Sequence, residues 1–219
     1  IPAPLLVTTI KPEGSISQLV GGVSQGLHLS HSPYFIRRIR FHSNDPIVSV
    51  IKQAKWKINP EVGNRGSTYE EKMNNAKTYV VDFPVATHAK KTKYQTMIEE
   101  QLDTYFTYQK IYADHNCSNT ISVKNDEWDK LTQIIYDNWD KYLGITFIPL
   151  DGGHYELAPY ESITENDYIK LKDSMLPFDM KLLESLDKQQ VVDTEEDSVT
   201  LPADDTMGSG CSNGICPLR

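Results

Sequence analysis

Ser118-Asn119-Thr120-Ile121-Ser122-Val123 and Ile145-Thr146-Phe147-Ile148-Pro149-Leu150 are two short β-branched runs, and the residues between them decide the fold. Asn125 or Asp126 can cap a helix there. Trp128, Leu131, Ile135, Asn138 or Trp139, and Tyr142 then recur at helical spacing as a core stripe, and Gly144 stands where a terminating glycine belongs. Strand, helical crossover and strand make the two strands parallel neighbours, because a crossover of that length returns the chain in the same direction. The fold class is therefore α/β.

Upstream, Leu5-Leu6-Val7-Thr8-Thr9-Ile10 reads as a strand ended by Lys11-Pro12-Glu13-Gly14, where Pro fixes φ and Gly permits a turn. Ser15 and the residues up to Val20 then run into Gly21, Gly22 and Gly26. Tyr34-Phe35-Ile36-Arg37-Arg38-Ile39-Arg40-Phe41 is a second strand, with Phe35, Ile39 and Phe41 on one face and Arg38 and Arg40 on the other. Asp45 and Pro46 suit the N-cap and first turn of a helix reaching about residue 55. Thr78-Tyr79-Val80-Val81-Asp82-Phe83-Pro84-Val85 is a strand, and a helix is expected over about 93–108. Thr164-Glu165-Asn166-Asp167 opens a further helix, and Pro177 separates it from a last one near 179–186. Two regions follow: a folded body, 1–186, and an acidic flexible tail, 187–219.

Net charge is −8 over 219 residues, and it is concentrated. Between Asp187 and Asp205, seven carboxylates face only Lys188, a local net of −6, which leaves −2 for the rest. Such a balance disfavours nucleic acid or an anionic membrane as partner. No apolar run nears the roughly 18 residues of a membrane span, and no signal segment opens the chain, so a cytoplasmic setting is expected. The chain begins at Ile1 and enters a strand-like run almost at once, which reads as a fragment or cleaved product of something longer.

Three cysteines make no disulfide framework. Cys211 and Cys216, in Gly-Ser-Gly-Cys-Ser-Asn-Gly-Ile-Cys, read instead as a redox dithiol, since Gly210 and Gly214 let the pair open and close. A structural zinc site would need about four ligands, and the nearest other candidates, Cys117 and His154, are remote in sequence. A tether of about 25 residues spans roughly 25–30 Å, the distance from a surface to a buried site. Cys117 itself reads as a small buried hydrophobe. His28 and His31 lack a third ligand and suit surface or hydrogen-bonding roles, and Lys90-Lys91-Thr92-Lys93 suits a solvated helix start. Thr8, Thr9, Pro12, Glu13, Gly14, Ser15 and Ile16 bring hydroxyls, a glycine and free backbone N–H groups to a strand end. That composition suits an anion or simply a strand-to-turn junction.

Thr8-Thr9-Ile10-Lys11-Pro12-Glu13-Gly14-Ser15-Ile16-Ser17 and Ser30-His31-Ser32-Pro33-Tyr34-Phe35-Ile36-Arg37-Arg38 resemble the adenosylcobalamin-dependent (class II) ribonucleotide reductases of the monomeric triphosphate-reductase type. So do Asp114-His115-Asn116-Cys117-Ser118-Asn119-Thr120-Ile121-Ser122-Val123, Phe147-Ile148-Pro149-Leu150 and Ala158-Pro159-Tyr160, in order along nearly the whole chain. The resemblance implies the C-terminal portion of a ten-stranded α/β barrel. It implies that Pro12 to Ile16, with Thr8 and Thr9, hold the phosphates of a ribonucleoside triphosphate, and that segments near 45–106 and 165–204 face adenosylcobalamin. Cys211 and Cys216 would re-reduce an active-site disulfide and be reduced by thioredoxin, in the service of deoxyribonucleotide synthesis for DNA replication. No metal ion is implied beyond the cofactor's own cobalt.

The family's Asn-Pro-Cys-x-Glu thiyl-radical loop and its second cysteine pair are absent from this chain, and the allosteric nucleotide region would lie upstream. A missing N-terminal portion is therefore an expected partner, and the chain alone is expected to be inactive. A diiron-dependent large subunit would show a Tyr-Tyr pair, which does not occur here, and a glycyl-radical reductase a glycyl loop and a cysteine-rich zinc site. A non-enzymatic, redox-regulated binding domain is the remaining alternative.

Overall fold

A computed structural model describes residues 2–14, 16–19, 21–150 and 155–196; Cys211, Cys216, Ser15 and His154 fall outside the described residues. The chain divides into two compact units, 1–179 and 180–219. The first unit runs α1 (Ile16–Leu19), β1 (Tyr34–His42), α2 (Pro46–Gln53), β2 (Ile58–Pro60), α3 (Tyr69–Asn75), β3 (Thr78–Ala86), α4 (Ile98–Ile111), β4 (Thr120–Val123), α5 (Trp128–Asp137), a 3-10 turn (Trp139–Lys141), β5 (Thr146–Pro149), β6 (Tyr160–Ser162) and α6 (Glu165–Ser174). The second holds α7 (Met180–Glu196).

β4 and β5 are parallel neighbours, with Ile121 opposite Phe147, as the strand–helix–strand pattern predicts. Leu131 of α5 is buried against Ile98, Leu102, Ile121 and Val123, but the stripe is narrower than expected. Trp128, the first residue of α5, sits at the margin, and Trp139 is 76% exposed because the helix ends at Asp137 and Trp139 falls in a 3-10 turn, off the apolar face to which Tyr142 returns. The expected caps, Asn125 and Asp126, do not cap α5. Glu127 occupies that position and accepts from Ile98 N (3.1 Å) and Lys124 N (3.0 Å), tying the start of α5 to that of α4. α4 begins five residues later than expected. The Lys90–Lys93 stretch is a loop, in which Lys91 pairs with Glu100 and Thr92 is buried.

The larger sheet is antiparallel, in the order β2-β3-β1-β6. One face carries Phe41, Tyr79 and Val81 into a core with Val48 and Ile51 of α2. Asp45 caps that helix by accepting from Ile47 N at 3.0 Å, and Pro46 opens it, as expected. The opposite face carries Arg38, as alternation predicts, and it is not solvated there. Arg38 pairs in register with Asp82, and both are buried, 8% and 1% exposed. Arg38 Nε donates to Asp82 (3.0 Å), one terminal nitrogen donates to the Ala158 carbonyl (2.9 Å) and the other pairs with Glu161; Asn59 also donates to Asp82 (3.0 Å). A buried arginine is tolerable only with such a partner set, and two other strands supply it.

The strand expected at Leu5 to Ile10 does not form. Ile10 makes one isolated parallel bridge to Cys117, while Leu5 and Val7 are 97% and 73% exposed. The six strands described do not by themselves make a ten-stranded barrel. α7 runs to Glu196 and takes in ten residues, 187–196, of the region expected to be flexible tail, because no Pro or Gly interrupts 180–196. Among the described residues no helix is long and apolar enough to cross a membrane.

Candidate functional site

Thr8 and Thr9 lie against the 112–118 segment. Thr8 Oγ1 donates to the Tyr112 carbonyl (2.6 Å) and accepts from Asp114 N (3.0 Å), while Thr9 Oγ1 donates to the Asn116 carbonyl (2.7 Å). Each hydroxyl has one hydrogen, and in both it is already given to a backbone oxygen. These threonines therefore anchor the segment rather than present donors to an anion. Ser118 N donates to Ile10 O (2.8 Å) and completes the attachment. Beyond it the chain turns through Pro12, Glu13 and Gly14 into α1. Lys11 pairs with Glu13 (2.9 Å), and Ser17 donates its hydroxyl to the Glu13 carbonyl. Ile16 is 62% exposed.

The glycines after α1 couple this turn to the sheet. Gly22 has φ +67°, and a Cβ there would meet the Ala86 carbonyl oxygen at 2.3 Å. Gly26 has φ +54°, and a Cβ would meet Lys11 O at 2.7 Å. Only glycine allows both close approaches with a left-handed backbone. Thr87 Oγ1 donates to Gly22 O (2.7 Å), fixing the loop to the end of β3.

Between this loop and the sheet lies a cleft of about 330 Å³. Its floor continues the core face beyond the reach of α2: Phe35 and Ile39 from β1, and Phe83 and Val85 from β3. Arg37 shares that face by strand alternation, and sequence reading passed over it, although its even spacing from Phe35 and Ile39 was the signal. Its guanidinium lies 4.4 Å from the centroid of the Tyr160 ring, the cross-strand neighbour on β6. Arg37 Nε is buried and has no hydrogen-bond partner. Gln25 donates to Tyr160 Oη (3.1 Å), and His31 stacks on the same ring, 5.6 Å between centroids. His28 bonds through Nδ1 to Gln25 O (3.0 Å); neither histidine joins a metal-binding cluster among the described residues.

Cys117 is fully buried beside Tyr105 and Ala113, and burial pushes its thiol above the ordinary value, so it is packing rather than a nucleophile. Tyr142 is raised likewise, first by burial and then by Tyr105.

The fold is that of the corresponding part of a B-12 dependent (class II) ribonucleotide reductase. A crystal structure of that protein matches 82% of this chain and 24% of its own, with a TM-score of 0.68 at 23% identity. In sequence the chain is similar to proteins named adenosylcobalamin-dependent ribonucleoside-triphosphate reductase. It is 29% identical to that of Lactobacillus gasseri over 217 residues, 28% to that of Lacticaseibacillus paracasei over 217, and 26% to that of Lactobacillus acidophilus over 223. Each match covers 97% of this chain and 26% of the relative, so the chain spans about a quarter of their length. No protein-family model matches.

Proposed function

We propose that this chain is the C-terminal portion of an adenosylcobalamin-dependent ribonucleoside-triphosphate reductase, working in the cytoplasm with the rest of that enzyme. The observation that carries this reading is similarity over 97% of the chain to reductases of that name, joined to a shared fold. In the assembled enzyme β4 and β5 are two strands of the ten-stranded barrel, and the radical-bearing cysteine comes from the other portion.

The turn at Pro12, Glu13, Gly14, Ser15 and Ile16 holds the substrate triphosphate. Thr8 and Thr9 contribute by anchoring, since their hydrogens are committed. Lys11 exchanges Glu13 for phosphate, a small cost because an exposed ion pair is worth about 0–1 kcal/mol. Cys211 and Cys216 give two electrons and two protons to the active-site disulfide, becoming a disulfide themselves, and thioredoxin's dithiol restores them.

Cobalamin fits the cleft in part. An apolar floor with one buried, unpartnered guanidinium nitrogen suits a ring bearing an anionic arm, whereas 330 Å³ excludes a corrin macrocycle. When bound, the cofactor supplies homolysis of its cobalt–carbon bond. This chain's residues orient it and exclude water.

The test is add-back. The 219 residues alone should not reduce a ribonucleoside triphosphate, and mixing with the missing portion should restore both cobalamin binding, seen by absorbance, and turnover. Replacing both Cys211 and Cys216 by Ser should then stop thioredoxin-driven turnover while sparing turnover with small dithiols. Absence of cobalamin binding after add-back sinks the reading, and equal loss with both reductants sinks the shuttle.

A further inference from the structure

We infer that the apolar surface at the C-terminal end of α4, with the groove beside it, is the face on which the rest of the reductase docks; this rests on the proposed function and names where that partner sits. The surface comes from two segments distant in the chain. α4 buries Ile98, Leu102 and Tyr105, and past its last core turn it carries Ile111 and Tyr112, 78% and 55% exposed. Leu5 and Val7, also exposed, stand beside them, because Thr8 Oγ1 donates to the Tyr112 carbonyl and Val7 N donates to the Asp114 carboxylate (3.3 Å). Single exposed apolar residues are ordinary, whereas a contiguous cluster of them marks a contact surface. These hydrogen bonds also hold the two segments in place before any partner arrives, which lowers the ordering cost of docking.

A groove of about 590 Å³ continues the surface along α4. Phe106 and Ile111 give it apolar walls, and Lys110 and Lys141 line it with a single carboxylate, Asp103. Lys141 lies 5.8 Å from the Phe106 ring centroid and donates to Asn138 Oδ1 (2.6 Å). Among the described residues neither lysine forms an ion pair. The groove is therefore apolar with an excess of positive charge, on a chain whose net charge is −8.

That charge decides between two occupants. A second copy would dock by a self-complementary contact, which repeats every residue and doubles the lysine excess in one interface. The rest of the reductase has no such constraint. The chain spans about a quarter of its relatives' length, so the greater part of the protein lies outside it, and the C-terminal reading puts that part upstream of Leu5. The occupant is accordingly a segment of that portion with apolar side chains for Leu5, Val7 and Ile111 and a carboxylate for Lys110 or Lys141.

Titration calorimetry of the 219-residue chain with the separately purified missing portion tests this. One-to-one binding is expected. L5S and I111S should each weaken it about tenfold, since each takes a whole aliphatic side chain out of the contact. Both residues are exposed, so neither change opens the core, and circular dichroism checks the fold. V62S, at an exposed valine in the loop after β2, should alter affinity less than twofold. K110E should slow association and flatten its salt dependence, because the lysine steers an acidic partner; an unchanged salt dependence overturns the acidic occupant. Binding that L5S and I111S leave within twofold of wild type discards this face and keeps the reductase, whereas no binding by the wild-type chain discards the reductase reading as well. A chain that sediments alone as a dimer, dissociated by I111S, gives the face to a second copy and also overturns the inference.

Discussion

Replacing Asp82 by Ala should be among the most damaging single changes to the folded body, and the reason is Arg38. In the wild type the two charge centres lie about 4 Å apart, where an effective dielectric near 20 gives about 4 kcal/mol of attraction. Removing the carboxylate leaves the Arg38 guanidinium 7% exposed, with its Nε unpaired and only Glu161 and the Ala158 carbonyl remaining. Breaking a buried pair from one side costs about 3–5 kcal/mol, and the surviving half-exposed Glu161 places Asp82→Ala near the lower end. For a unit of this size that is a fall in Tm of about 6–12 °C. Urea unfolding followed by tryptophan fluorescence measures it. The double replacement R38M/D82L removes both charges and should recover stability to within about 1 kcal/mol of wild type, since a hydrophobic pair of similar volume replaces a desolvated ion pair. A loss below about 1 kcal/mol for Asp82→Ala would refute the reasoning by showing that Arg38 is solvated, and a double variant as unstable as the single one would refute it by showing that the loss does not come from the uncompensated Arg38 charge.

Gly21→Ala should cost about 1–2 kcal/mol from its left-handed backbone alone. Gly22→Ala should cost at least twice as much, because its methyl would also strike the Ala86 carbonyl at 2.3 Å; equal losses in thermal melts would show that the loop is not pressed on β3. In a C211S/C216S background, Cys117 should resist thiol reagents until the chain unfolds. Its folded thiol titrates above the ordinary 9.0, so the unfolded thiol ionises first and stability should decline as pH rises above about 9; rapid native labelling would contradict the burial. Gln101 on α4 donates to Ser122 O (3.0 Å) and accepts from Ser122 N (3.1 Å), standing in for a neighbouring strand. Gln101→Glu keeps the acceptor and loses the donor, so it should destabilise by about 1–3 kcal/mol, read by denaturant melts.

The sequence made the parallel pair Thr120–Val123 and Thr146–Pro149 legible because a crossover leaves a local record: apolar spacing, then a second β-branched run. Asp45 with Pro46, and Thr164 before Asp167, were legible for the same reason, since a cap is settled within one turn. Leu5 to Ile10 misled, because β-branched residues record a fit to a sheet and not whether a partner strand exists; here Thr8 and Thr9 attach to 112–118 through their hydroxyls. The burial of Arg38 was not legible, because alternation assigns faces without saying which face is wet, and Asp82 and Glu161 reach Arg38, and Asn59 reaches Asp82, only through strand pairing. By itself the sequence determined the α/β class, the ordered likeness to the reductases and the residue types of the terminal dithiol. Tertiary structure alone decided the cleft and Arg37's place in it, because a cavity is made by segments distant in the chain whose meeting no local spacing encodes.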